Sequence, residues 1–447
     1  MRIKIYIFAI YLFMSPVLAN AGIVRDVETE RAFKLFNKDV EKYMGYKNGD
    51  IQHRLIINDQ FNAFVEGGKN VFYNSGLILK IKNVGQFIAV SAHELAHIKN
   101  GDLNKRMVAK NKAENLGAYG IGIAFLSGLL SNSTDVTVGG SMLYGQVAGR
   151  SFVGYIRGQE KAADALSLEV FKKLKYSPIG VVKVQELMLE REGIVSKKAE
   201  YVRTHPTSEN RLKVAKSALE KSPYKNNKFP KKWRDTFLRI QAKLFGYTKD
   251  RREVYNKYPV SDKSDLARYA RAMNYYSNQK FKQAIFEIEQ LLKKNPDDIF
   301  YQENKAVFLS ALGNHKKAIK IYEKILKKNR KEDIFWIEYA RILIEEGSKE
   351  SLKDAEYALL KARFLNPDEL SLYRIMIGLY SKTKQEGKRL LAYSELMLLK
   401  RTYSELMLLK RNKRALDLAK QAQKKLKKNS PEYIRAGDII SMMKNKK

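Results

Sequence analysis

The chain has no cysteine. Disulfides, thiol catalysis and lipid attachment to a mature N-terminal cysteine are therefore excluded. Any tetrahedral metal site must be built from imidazole and carboxylate. Histidine is scarce, with five in 447 residues, so a cluster of them carries information. Proline is scarce too, nine in all, and after Pro223, Pro230 and Pro259 the chain runs on as amphipathic helix with few breaks. An apolar stretch runs from Ile5 to Met14, and a long uncharged stretch, interrupted by hydroxyls, runs from Leu116 to Thr134. Acidic residues are outnumbered, 48 against 84 basic ones, for a formal net charge of +36. Most of these lysines read as solvated helix faces. Any net attraction is expected toward an anionic membrane surface and not toward nucleic acid, because the chain reads as exported.

That reading comes from the first 21 residues. Arg2 and Lys4 precede the apolar stretch, Pro16 follows, and Ala19-Asn20-Ala21 closes it. Positive region, short apolar region and small-x-small site make a secretory signal peptide, with cleavage expected after Ala21. The apolar stretch is short for a spanning helix, which needs about 20 residues. The second run carries Gly117, Gly120, Gly122 and Gly128. It is expected to be a flexible buried or membrane-touching segment, with Leu116 to Ser133 a candidate lid or peripheral membrane contact.

With 45% hydrophobic and 11% aromatic residues the rest can fill two or three cores. Glu28 to Tyr43 has helical spacing, and Arg54 to Asn58 is strand-like. Asn62-Ala63-Phe64-Val65 and Val71-Phe72-Tyr73 flank Gly67-Gly68 as a hairpin. Helices are expected at Gln86 to Asn100 and at Gly158 to Lys172. The second half repeats. Ala284 and Ala318 are 34 residues apart, as are Asn295 and Asn329, and Ala355 precedes Asn366 by the same interval as Ala284 precedes Asn295. That period resembles tetratricopeptide repeats, helix hairpins that bury one another's apolar faces. Tyr393 to Arg401 recurs unchanged as Tyr403 to Arg411. An offset of ten residues falls about 80° short of three helical turns, so a lengthened or bulged helix is expected there.

The chemistry lies in His93-Glu94-Leu95-Ala96-His97. Residues i and i+4 of a helix are offset by about 40° and 6 Å, so both imidazoles can reach one Zn²⁺. Glu94 points toward water at the metal, where a carboxylate can act as general base. A catalytic zinc needs a third protein ligand, and no third histidine follows the motif. Glu160 and Asp102 compete for the place. Asp164, four residues after Glu160, is placed to orient a ligand imidazole. His205, in His205-Pro206, could steady an oxyanion or cap the zinc. His53 and His315 stand in no motif and read as structural.

In order along the chain, His93 to Asp102, Glu160 to Asp164 and His205 to Arg211 resemble the gluzincin metalloproteases of the CAAX-protease/HtpX superfamily. The closest likeness is to periplasmic, BepA-like members with C-terminal tetratricopeptide repeats. The resemblance implies an α+β protease domain at 22–250, mostly helical with a small β-sheet, then an all-α repeat solenoid at 262–447. It implies one Zn²⁺ on His93, His97 and Glu160. Glu94, His205 and Arg211 form the catalytic group, with Arg211 in a supporting part. Asn62, Ala63, Phe64 and Val65 resemble the substrate-binding edge strand. The implied function is degradation of unfolded or stalled envelope proteins in the periplasm, with the repeats docking on the outer-membrane protein assembly machinery. The alternative is a chaperone or assembly scaffold whose protease site is largely latent.

Overall fold

The computed structural model describes residues 22–66, 69–102, 105, 142–192, 209–399 and 405–444. The signal segment, Gly67-Gly68, the Leu116 to Ser133 run and His205 lie outside the described residues. The chain divides into two compact units at Thr248 and Lys249. The first is mostly helical around a small sheet, and the second is helical throughout its described length.

In the first unit, β1 (Gly22–Val24) leads into α1 (Val27–Tyr43). Asp26 caps α1, accepting from the Thr29 amide at 3.0 Å. β2 (Gln52–Ile57), β3 (Ala63–Glu66) and β4 (Asn70–Asn74) follow. The sheet order is β1-β2-β4-β3. β2 runs parallel to β4, and β3 pairs with β4 as an antiparallel hairpin in which Phe64 faces Phe72. β3 is thus an edge strand, with one side unpaired within the sheet.

After α2 (Ser75–Lys80) comes α3 (Val84–Asn100), the helix that carries the two motif histidines. Asn83 caps its start, accepting from the Gln86 amide at 3.1 Å. Gly101 ends it in the left-handed conformation, φ 69°. Every side chain from Val84 to His97 is buried. Phe87 stacks on Phe33 of α1 with ring centroids 4.9 Å apart, beside Tyr73, Phe36 and Phe237 in one core. A helix apolar on all sides has to be enclosed, and this one is the axis of its unit.

Around it lie α4 (Met142–Lys173), α5 (Ile179–Glu192), α6 (Glu209–Glu220) and α7 (Lys231–Thr248). α4 begins well before the expected Gly158, because Gly145, Gly149, Gly154 and Gly158 weaken the local helical signal without breaking the helix. α5 comes very close to α3: a Cβ on Gly180 would sit 2.4 Å from the Gly85 carbonyl oxygen. Only glycine permits that approach.

The second unit opens with α8 (Arg251–Lys257) and continues as helix hairpins. These are α9 (Asp265–Ser277) with α10 (Phe281–Lys294), α11 (Ile299–Ala311) with α12 (His315–Lys328), and α13 (Asp333–Glu346) with α14 (Lys349–Leu365). Then come α15 (Leu370–Lys382) with α16 (Glu386–Leu399) and α17 (Glu405–Lys425) with α18 (Pro431–Lys444). Ala284, Ala318 and Ala355 are fully buried where each second helix meets its first. Arg271 is fully buried and bonded to Glu287 at 2.8 Å and to the Pro259 carbonyl at 2.7 Å. It pins the segment that enters the first hairpin.

The duplicated segment corrects the expectation of one lengthened or bulged helix. The described part of the first copy closes α16, and that of the second opens α17. The two helices pack on each other, with Ser394 Oγ donating to the Ala415 carbonyl at 2.7 Å and Leu390 and Leu391 in a cluster with Leu418 and Ala419. Separate helices remove the phase conflict, since the copies no longer share one axis.

Candidate metal centre

Capped at both ends and enclosed, α3 holds its side chains in fixed directions. His93 and His97 stack their rings edge to face, with centroids 4.7 Å apart. Glu160 reaches them from α4 and is 1% exposed. The His93 and His97 Nε2 atoms are 3.2 Å apart. Glu160 Oε2 is 3.2 Å from His93 Nε2, and Oε1 is 3.3 Å from His97 Nε2. Among the described residues these three are the cluster able to hold a metal ion.

The donor chemistry supports such an ion. Asp164 Oδ1 lies 3.0 Å from His93 Nδ1, and Asp102 Oδ2 lies 2.7 Å from His97 Nδ1. When each Nδ1–H donates to its carboxylate, each Nε2 presents a lone pair. Two lone pairs and a carboxylate then converge on one point, a repulsive arrangement without a cation. The edge of a tetrahedron around an ion with bonds of about 2.0–2.1 Å is about 3.3–3.4 Å, close to the spacings above.

Burial alone would lower the His93 pKa, but hydrogen bonds to Asp164 and Glu160 outweigh it and raise it to about 10. His97 is raised by Asp102 and Glu160 against the same burial. Burial would raise Asp164, yet His93 and Arg211 hold it down to about 2. The site is therefore built to keep positive charge at this point.

Each expected residue has a definite place. Asp102, weighed as third ligand, faces the far nitrogen of His97. Asp164 does the same for His93. Arg211, on α6, donates through Nε at 2.6 Å and Nη2 at 2.8 Å to Asp164. Its Nη1 lies 3.3 Å from Glu160 Oε2. It holds two carboxylates in place. Glu94 is 1% exposed, next to His93 on the motif helix. Asn62 is buried at the start of β3, Ala63 is buried within it, and Phe64 stacks on Phe72 at 5.2 Å. Val65 is half-buried farther along the same edge.

Sequence reasoning missed a second buried network. Glu41 Oε1 meets His53 Nε2 at 2.7 Å, His53 Nδ1 meets the Tyr73 hydroxyl at 3.0 Å, and that hydroxyl meets Ser91 Oγ at 2.6 Å. It joins α1, β2 and β4 to the motif helix two residues before His93. No local pattern announces it, because its members meet only in the fold. A small polar and apolar cavity lies on the other side of His93, lined by Asp164, Ser167, Gln185 and Arg211 with Val181 and Met188.

Comparison with known proteins agrees with this geometry. Residues 36–219 match the model of Peptidase family M48. The beta-barrel assembly-enhancing protease of Yersinia pestis is 24% identical over 258 residues, 55% of this chain and 51% of that protein. The protein of the same name from Escherichia coli (strain K12) is 24% identical over 257 residues, with the same shares. A mitochondrial metalloendopeptidase of Schizosaccharomyces pombe is 26% identical over 164 residues, 37% of this chain and 45% of its own. The chain thus spans about half the length of these relatives. Motif helix, partner carboxylates and the match to Peptidase family M48 fall on the same stretch of chain, residues 36–219.

Proposed function

We propose that the chain is a zinc-dependent endopeptidase that cleaves unfolded or stalled proteins. One observation carries the reading: the buried convergence of His93 Nε2, His97 Nε2 and Glu160 on one point, with a carboxylate behind each imidazole. Zinc held there would supply a Lewis acid that polarises the scissile carbonyl and makes water more acidic. The chain's own residues supply the rest. Glu94 takes a proton from the attacking water and passes it to the leaving amine. Asp102 and Asp164 fix the imidazole orientations, and Arg211 fixes Asp164. His205 is assigned to the oxyanion. The edge strand β3, with Asn62, Ala63, Phe64 and Val65, takes an extended peptide by strand addition. That mode reads backbone more than sequence and suits unfolded chains.

Residues 22–250 are assigned to the protease domain. Residues 262–447 are assigned to a tetratricopeptide-type solenoid that binds partners, because the 34-residue period coincides with packed helix hairpins. The relatives' name, beta-barrel assembly-enhancing protease, together with the N-terminal export pattern, supports a place in the periplasm. The work there is quality control of outer-membrane proteins beside their assembly machinery. No helix among the described residues is long and apolar enough to cross a membrane.

The test is casein cleavage by the mature chain beside Glu94→Gln, with zinc measured in both. Cleavage by the wild type alone, with about one zinc in each, is the expected result. Zinc in both and cleavage by neither would favour the scaffold reading. Zinc in neither would remove the assigned site.

A further inference from the structure

The repeats of the second unit leave one face of their second helices in solvent, and its composition is not random. Take the buried alanines Ala284, Ala318 and Ala355 as origins on α10, α12 and α14. The buried stripe of α10 runs through Ala284, Ile288 and Leu291, at offsets of zero, four and seven. The opposite stripe lies at offsets of two, six and nine, since two residues turn a helix by about 200°. On α10 it holds Phe286, Gln290 and Lys293. On α12 it holds Lys320, Lys324 and Lys327. On α14 it holds Tyr357, Lys361 and Phe364. All but the half-buried Gln290 are exposed.

Five of these nine positions are lysine, three are aromatic, and none is acidic. Phe364 is 85% exposed, Phe286 58% and Tyr357 56%. Ordinary surfaces scatter single apolar residues, but here Phe286 and Tyr357 hold the same position of the repeat and Phe364 lies on the same stripe. Lys361 Nζ lies over the Tyr357 ring, 5.3 Å from its centre. No described ion pair engages Lys320, Lys324 or Lys327. The hairpins pack in series, α10 on α11, α12 on α13 and α13 on α14, with the first helices α11 and α13 in contact. The same packing repeated turns the three stripes the same way. Together they form an array of protruding rings among cations.

We propose that this array is a docking face for an anionic lipid surface. The charge complements phosphate headgroups, and the three rings have the length and exposure to enter the headgroup and acyl boundary. An array whose nine positions include five lysines and no carboxylate fits a surface of diffuse negative charge better than the mixed surface of a folded protein. The inference does not depend on the metal centre or on cleavage.

The experiment is flotation of the full mature chain with vesicles of phosphatidylcholine containing roughly 30% phosphatidylglycerol, beside pure phosphatidylcholine. Three triple variants are compared: Lys320→Glu, Lys324→Glu, Lys327→Glu; Phe286→Ser, Tyr357→Ser, Phe364→Ser; and, at equal charge change elsewhere in the unit, Lys424→Glu, Lys425→Glu, Lys428→Glu. The positions of the first two sets are exposed and on helices, so helicity by circular dichroism should hold. Binding only to the anionic vesicles is expected. The first set should weaken it on the order of a hundredfold. The second should weaken it about tenfold and leave a remainder that moderate salt removes. The control set should change it only severalfold, since charge beyond a Debye length is screened. Equal loss in the control would show that net charge alone binds, and would overturn the assignment. So would unchanged binding in the first two sets, which would leave the face to an acidic protein.

Discussion

The two units use polar side chains in opposite ways. The first buries them: the metal centre, the Glu41–His53–Tyr73–Ser91 network, and Lys243 between Asp26 and Glu28 all lie inside one fold. The second buries mainly small and apolar residues at repeating positions and keeps its lysines in water. Its buried pairs, such as Arg271 with Glu287, are few among the described residues. In these clusters of the first unit each polar residue has a particular partner, so single substitutions there should be severe and site-specific. In the second, equivalent positions share the load, so a substitution should cost packing and leave chemistry alone.

The contrast is broken most directly at Glu94. Glu94→Gln should lower the rate of casein cleavage about 10²–10⁴-fold while zinc content and melting temperature stay near wild type. A variant that cleaves at the wild-type rate would remove Glu94 from the chemistry. In the second unit, Leu359→Ala removes a fully buried side chain of α14. It should cost about 2–5 kcal/mol in the unfolding of that unit by chemical denaturation, with zinc content unchanged. Zinc loss in this variant would show that the two units are not energetically separate in this sense.

The same logic applies to a buried ion cluster in the first unit. Lys243 Nζ lies 2.5 Å from Asp26 Oδ1 and 3.1 Å from Glu28 Oε2. Lys243→Met leaves Asp26 without its cation and Glu28 with Arg239 alone, and should cost about 3–5 kcal/mol by denaturant titration. The cluster also sets an acid limit. Burial would raise the Asp26 pKa, but Lys243 and the Thr29 hydrogen bonds lower it below 3.8. A carboxyl lowered on folding adds stability that is fully present above its unfolded pKa. That stability is lost as pH falls from about 4 through the folded value. Unfolding followed between pH 5 and 2 should show this loss in the wild type, and a smaller slope in Asp26→Asn.

What can be read in the sequence follows from where partners sit along the chain. The two histidines are one helical turn apart, so four residues suffice to predict their convergence. The 34-residue period exposes the hairpins in the same way. Glu160 is 67 residues from His93, and spacing alone leaves it level with Asp102. Only the fold places one in the donor ring and the other behind His97. Lys243 is more than 200 residues from Asp26, and nothing local to either marks the pair. The length of α4 is hidden by its glycines. The duplicated segment misleads because a repeat inside one helix and a repeat across a turn look alike in sequence. The export segment and His205 lie outside the described residues, so their readings rest on sequence pattern and resemblance.

Behind the metal ligands the expected effects are smaller. Asp102→Asn keeps the shape but weakens the partner of His97 Nδ1, and should reduce zinc affinity about 10–100-fold in a competition with a chelator. Unchanged affinity would make Asp102 a bystander.

The smallest expected effect is the sharpest control. α7 carries two lysine–aspartate pairs of equal length, Lys243–Asp26 and Lys231–Asp235, both at 2.5 Å. The first is buried, while the second is exposed, one turn apart on a solvent face. Water and salt screen the second, and holding two long side chains together costs entropy. Lys231→Ala should therefore change stability by less than about half a kcal/mol, a difference that added salt erases. Lys243→Met should keep nearly all of its penalty in the same salt, because its partners are shielded from solvent. Distance is the same for the two pairs, and both lysines lie on α7. If both losses were equal, burial would not be what separates them, and the account of the first unit as a fold held by enclosed charge would fail.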